Sequence, residues 1–321
     1  MKRIVFFQTL FFLLLFLNET ALSAVFSTRN FTVTADDPRV AEVMANRAEE
    51  LRSRLADFWL GKELPSWYKK CRIKIQIGNV SAGGSTTFTF KNGEVYDWNM
   101  TVQGSRERIY DSVLPHEITH TILASHFRTP LPRWADEGAA TFVEHESERA
   151  KYRQQLYRAL RTRRGIPLDQ LFDMEEYPED PLPLYAHGYS LAEFLIRQRG
   201  PRYYISFIEA CLCREDSWNT LVYEFYGYES LRNLQNDWVG WVQDGTPEFQ
   251  GTNLIPGEGE VIVSADLAGN AGGELVHGEV FRDSVQVVPE SKVRPQPNLV
   301  QWNTTHVNPP SPQTTPPAAH P

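Results

Sequence analysis

The chain is 321 residues long, 41% hydrophobic and 12% aromatic, with a formal net charge of -8. That size and apolar content allow one large domain or two small ones around a sizeable core. The acidic balance, with no long uninterrupted basic run, excludes nucleic acid as the main partner.

The first residues read as an address. Lys2 and Arg3 precede an apolar run from Ile4 to Leu17, and Ala21-Leu22-Ser23-Ala24 supplies small residues for cleavage. The run is short against the roughly 20 residues of a bilayer span. Residues 1–24 are therefore expected to be a cleaved signal peptide, with an uncleaved anchor as the other reading. No later segment is apolar enough to cross a membrane, so the mature chain is expected to be exported: periplasmic, cell-surface or secreted.

Residues 30–34 alternate like a strand. Asp36 or Asp37 then caps a helix with Pro38 in its first turn, an apolar stripe through Val40, Val43, Met44, Ala48, Leu51, Leu55 and Phe58, and an end at Gly61. Residues 72–78 alternate strictly, with Ile73, Ile75 and Ile77 on one side. Residues 85–90 and 94–102 are two further strands around an Asn92-Gly93 turn. From Ser105 to about Trp241 the pattern is helical. The basic stretch from Arg149 to Arg164 belongs here: Tyr152, Leu156, Tyr157 and Leu160 interrupt it at helical spacing, which makes it a solvated helix face. A small sheet followed by helices predicts an α+β domain over residues 25–245. Residues 246–321 are expected to form a Gly/Pro-rich, disordered tail. Residues 257–288, glycine-rich with short apolar alternations at 261–263 and 285–288, are open to a loose hairpin or disorder, and from Pro289 onward the composition cannot bury a core. An exported chain permits disulfides. Cys71 bonded to Cys211 or Cys213, and three free buried thiols, are both open.

The chemistry lies in His116-Glu117-Ile118-Thr119-His120. Two histidines four apart share one helix face, so both imidazoles can reach one metal ion. A glutamate directly after the first histidine lies beside that ion, where it can take a proton from water. Asp111 or Ser112 is a good N-cap and would place Pro115 in the first turn, where its missing N–H costs little. Catalytic zinc wants a third protein ligand. His126 has the spacing of the third metzincin histidine, but Leu123 stands where that pattern has glycine, and Met174 is the only methionine downstream. His126 is read instead as a helix-end residue favourable to the helix dipole. Glu137, on a helix starting near Arg133, is the expected third ligand. Gly138, Ala139 and Ala140 would let that helix pack closely on the motif helix. Asp136 is expected to support the ligands or face solvent, and Glu144 and Glu146 to lie too far along.

HEITH followed by RWADEGAA resembles the gluzincin zinc-peptidase signature, HExxH with a later WxxEG. The resemblance is closest to the peptidase MA-like domain, a group of exported bacterial proteins. It extends to DSVLPHEITH, LYAHGYSLAEFL and YGYESLRNLQNDWVGWV, over roughly residues 28–243. It implies a zincin-like fold with a C-terminal helical lobe, a Zn2+ cofactor held by His116, His120 and Glu137, and Glu117 as general base. It also implies a peptide or protein substrate whose carbonyl oxygen Tyr185 or Tyr189 would stabilise; a core aromatic is the other reading of each tyrosine. The strand from Thr86 to Phe90 is either an edge that pairs with an extended substrate or a plain structural hairpin. Two rival functions remain: a non-catalytic zinc-stabilised binding domain, and a zinc amidase acting on a non-protein amide such as a cell-wall link.

Overall fold

The computed structural model describes residues 23–247, 249 and 300–307. Within that range lie β1 (Ala24–Ser27), β2 (Phe31–Ala35), α1 (Pro38–Leu60), β3 (Cys71–Ile77), β4 (Gly83–Lys91) and β5 (Glu94–Gly104). A helical turn α2 (Arg106–Arg108) leads through a π-turn (Ile109–Val113) into α3 (Leu114–Phe127). Then follow α4 (Arg133–Phe142), α5 (Glu146–Arg161), α6 (Leu168–Phe172), α7 (Leu182–Arg199), α8 (Pro201–Cys213), α9 (Trp218–Tyr226), α10 (Leu231–Gln243) and β6 (Val300–Val307). The expected signal peptide lies outside the described residues except at its edge, since β1 begins at Ala24. No helix among the described residues is long and apolar enough to cross a membrane.

The six strands form one mixed sheet in the order β1-β2-β3-β5-β4-β6. β2, β3 and β5 run parallel, and the remaining pairings are antiparallel. In β3, Cys71, Ile73 and Ile75 are buried while Arg72, Lys74 and Gln76 are exposed. One face therefore packs on helices and the other meets water, as expected of a sheet with mostly alternating strands. Ile77, expected on the inner face, lies at the strand end and is 39% exposed. The β4–β5 hairpin turns at Asn92 and Gly93, with φ of 53° and 71°, the positive pair a tight hairpin requires.

α1 covers the inner face. Asp37 caps it by accepting from the Arg39 N–H, and Gly61 ends it at φ 65° with its N–H on the Asp57 carbonyl. Its buried stripe runs through Val40, Met44, Ala48, Leu51 and Leu55. Trp59 completes it rather than Phe58, and Val43 is half exposed. The helical lobe is arranged around α7, buried from Leu184 to Arg197. The result is an α+β fold with a small N-terminal sheet and a helical bulk.

Among the described tail residues, Val300–Val307 depart from expectation: they form β6, pairing antiparallel with β4 from Gly83↔Val307 to Phe90↔Val300. This segment of glutamine, asparagine, threonine and β-branched or aromatic residues contains no proline, so nothing in it denies the ladder a donor. The remaining tail residues beyond Phe249 lie outside the described range. Cys71, Cys211 and Cys213 are free thiols.

Candidate metal centre

The motif helix begins earlier than its cap signals indicate. Ser105, not Asp111 or Ser112, accepts from the Arg108 N–H as N-cap. The chain then runs through the π-turn into α3, with the Leu114 N–H bonded to the Ile109 carbonyl. Pro115 therefore sits inside a continuing helix, and the widened turn before it takes up the disruption a proline brings.

His116, Glu117 and His120 project from α3, and Glu137 from α4. These side chains are buried to within 1%. His116 Nε2 and His120 Nε2 are 3.1 Å apart, and Glu137 Oε2 lies 3.4 Å and 3.7 Å from them. Tetrahedral zinc at the usual bond lengths spaces its ligand atoms by about 3.3 Å. His116, His120 and Glu137 thus form a group able to hold a metal ion.

Carboxylates set both rings. His116 Nδ1 is 2.8 Å from Glu144 Oε1, and His120 Nδ1 is 2.9 Å from Asp136 Oδ1. An Nδ1–H given to each carboxylate leaves the Nε2 lone pairs facing one another and Glu137 Oε2. That arrangement calls for a cation at the centre. Glu137 Oε2 finds no hydrogen-bond donor apart from these rings. Its other oxygen accepts from the Tyr177 hydroxyl. Burial pushes the Glu137 pKa up, but His120, His116 and Tyr177 outweigh it and hold it at about 2. Burial likewise disfavours charge on His120, yet Asp136 and Glu137 raise its pKa to about 9. Without metal, a proton supplies the missing cation.

Glu117 differs. Its Oε2 accepts from Thr86 Oγ1 at 2.6 Å, and Oε1 has no partner among the described residues. Burial raises its pKa to about 7, against the charges of His116 and His120 and the Thr86 bond. In the metal-free centre it is a carboxyl group that exchanges a proton near neutrality. β4 lies directly against it: a Cβ on Gly84 would fall 2.5 Å from Glu117 Oε1.

Several expectations change here. Glu144, set aside as too distant, contacts His116, because the chain turns back at the end of α4. Gly138 does give close packing, but against α7: its Cβ would meet the Gly188 carbonyl oxygen at 2.4 Å. His126 is no part of the group, and burial with Lys62 nearby lowers its pKa to about 4. It is a neutral ring, not a cation on the helix dipole. Tyr185 is buried close enough to Glu137 and Glu117 that they, after burial itself, push its phenol well up; it stays a donor at ordinary pH. Tyr189 is held instead by Arg153 Nη1 at 2.6 Å, away from the group. His187 bridges the Pro183 carbonyl and the Ile166 N–H, a structural role. Thr86 and Tyr177 had no sequence signal. Nor had Glu144, which lies beyond the end of α4 at Phe142 and so off the helix that carries Glu137.

No family profile matches the sequence, and no curated protein does. Two solved structures of an M1 zinc metallopeptidase from Deinococcus radiodurans, one a point mutant, are similar to the chain at 18% identity. The mutant aligns at a TM-score of 0.39 over 73% of this chain and 53% of its own; the other aligns at 0.40 over 68% and 51%. The chain thus spans about half the length of these structures, and what its centre can do rests on its own geometry.

Proposed function

We propose that the chain is an exported zinc-dependent hydrolase of gluzincin type, acting on peptide bonds within a catalytic domain over residues 25–245. The observation that carries this reading is the convergence of His116, His120 and Glu137 beside a carboxyl group, Glu117, left uncommitted at one oxygen. A purely structural zinc site needs no such base. Zinc held by the three ligands would act as a Lewis acid, activating water and polarising a carbonyl. Glu144 and Asp136 fix the imidazoles, and Tyr177 fixes Glu137. Glu117 Oε1 takes the proton of the attacking water and passes it to the leaving amine, while Thr86 holds Oε2 in place. Tyr185, kept protonated, is the group we assign to stabilising charge on the carbonyl oxygen.

Metal analysis with a peptide-library cleavage assay on wild type and Glu117→Gln tests this. One bound zinc in both proteins, with cleavage only by wild type, is expected. Zinc without cleavage of any peptide would favour the binding-domain reading; cleavage of non-protein amides alone would favour the amidase.

A further inference from the structure

We propose that the outer edge of β4 is a peptide-docking edge whose resident occupant is the chain's own segment Val300–Val307, which must leave before a substrate can enter. The inhibitory consequence rests on the hydrolase reading above; the docking does not.

β4 is the strand that borders the reacting groups. Thr86 donates to Glu117, and the Gly84 backbone approaches Glu117 so closely that no side chain fits between them. One edge of β4 is taken by β5, in a ladder whose register shifts between Thr87 and Thr89. The other edge would be open, and β6 fills it without a shift, pairing Thr304 with Thr86 and His306 with Gly84. The occupant thus runs past the two positions that touch the base.

An open strand edge binds extended peptide through main-chain hydrogen bonds, largely independent of side-chain identity. Segment and substrate are therefore the same chemical class of ligand, and one edge holds one of them. The centre itself is closed: none of His116, Glu117, His120 and Glu137 exposes more than 1% of its surface. The segment's own composition also suits a strand. VQWNTTHV is uncharged and free of proline, while Pro297 and Pro309 stand on either side of it. Tethering makes docking intramolecular, so a free peptide competes against a high effective concentration.

The test uses the full chain carrying Asn303→Pro with Thr304→Pro. Successive strand residues turn their N–H groups to opposite edges, so one of the two replacements removes a donor to β4. Three readouts are compared with wild type: amide hydrogen exchange, binding of fluorescein-labelled VQWNTTHV, and turnover of a peptide library by the zinc-loaded protein. β4 amides should exchange at least tenfold faster in the variant, with α7 amides unchanged. The labelled octapeptide should bind the variant at least tenfold more tightly, and turnover should rise by a similar factor. Unchanged β4 protection, or equal octapeptide binding by both proteins, overturns the proposal. Protection that falls on dilution of the wild type overturns it too, by making a second copy the occupant. If the variant binds the octapeptide while neither protein cleaves anything, the docking edge stands and the peptidase reading falls.

Discussion

Replacing Glu117 by glutamine should stabilise the metal-free protein while abolishing turnover. The side chain is fully buried, with one oxygen on Thr86 and the other without a partner. Glutamine keeps the shape and can still accept from Thr86, but carries no charge. Burial raises the Glu117 pKa from 4.5 to about 7. At roughly 1.4 kcal/mol per unit, holding the ionised form in the folded state costs about 3 kcal/mol. Because the folded pKa is raised, the folded protein binds more protons than the unfolded chain between pH 4.5 and about 7. Wild type thus keeps this stability below 4.5 and loses it as pH rises through 7. The variant should melt roughly 6–12 °C higher at pH 8, with the gap closing by pH 4.5. Thermal unfolding followed by circular dichroism in excess chelator reads this directly. Equal melting points at pH 8, or a gap that does not change with pH, would refute the account of Glu117 as a strained, desolvated carboxyl group. With zinc restored, turnover should fall by about 10²–10⁴, the contribution of a positioned general base.

Glu144→Gln should keep the fold and weaken zinc about 10–100-fold in a competitive chelator titration, because the His116 ring loses its charged partner; unchanged affinity would remove Glu144 from the centre. Gly138→Ala drives a Cβ to within 2.4 Å of the Gly188 carbonyl oxygen and should cost about 1–3 kcal/mol in urea unfolding. Wild-type stability there would show that α4 and α7 can move apart freely. His126, with its folded pKa lowered to about 4, contributes stability that is present above pH 6.5 and lost as pH falls toward 4. His126→Gln should flatten the pH dependence of unfolding in that window by roughly 1–2 kcal/mol, a figure discounted for the ring's partial exposure; an unaltered pH profile would contradict it.

The local elements were legible where short-range patterning decides them. Alternation marked β3, Asn92-Gly93 marked the β4–β5 turn, and Asp37-Pro38 with Gly61 bounded α1. Errors came where a tertiary choice overrode the local one. Asp111 and Ser112 are good caps, but the chain was already helical from Arg106, and a π-turn absorbed Pro115 instead. Trp59 is fully buried, while Phe58 is partly buried and packs edge-on against it. β6 was hidden because its pairing partner lies far away in the chain, and a short polar-aromatic run within a proline-rich tail carries no period that declares an edge to be filled.

The centre divides along the same line. His116 and His120 are related by helix geometry alone, so their spacing reports a shared face before any fold is known. Glu137 needed one tertiary step, the packing of a second helix beside α3. The close packing that Gly138 was expected to give against α3 is made against α7 instead. Thr86, Tyr177 and Glu144 each arrive from a different segment, and no spacing links them to the histidines. Yet they determine how the motif is set: Thr86 holds one oxygen of Glu117, Tyr177 holds one oxygen of Glu137, and Glu144 meets His116 Nδ1 and so leaves Nε2 facing the centre. The bare motif offers two ring nitrogens and a carboxyl group in unspecified states. Packing assigns those states, placing acceptors at the centre and an uncommitted oxygen beside it. That assignment turns a metal-binding spacing into an arrangement able to move a proton.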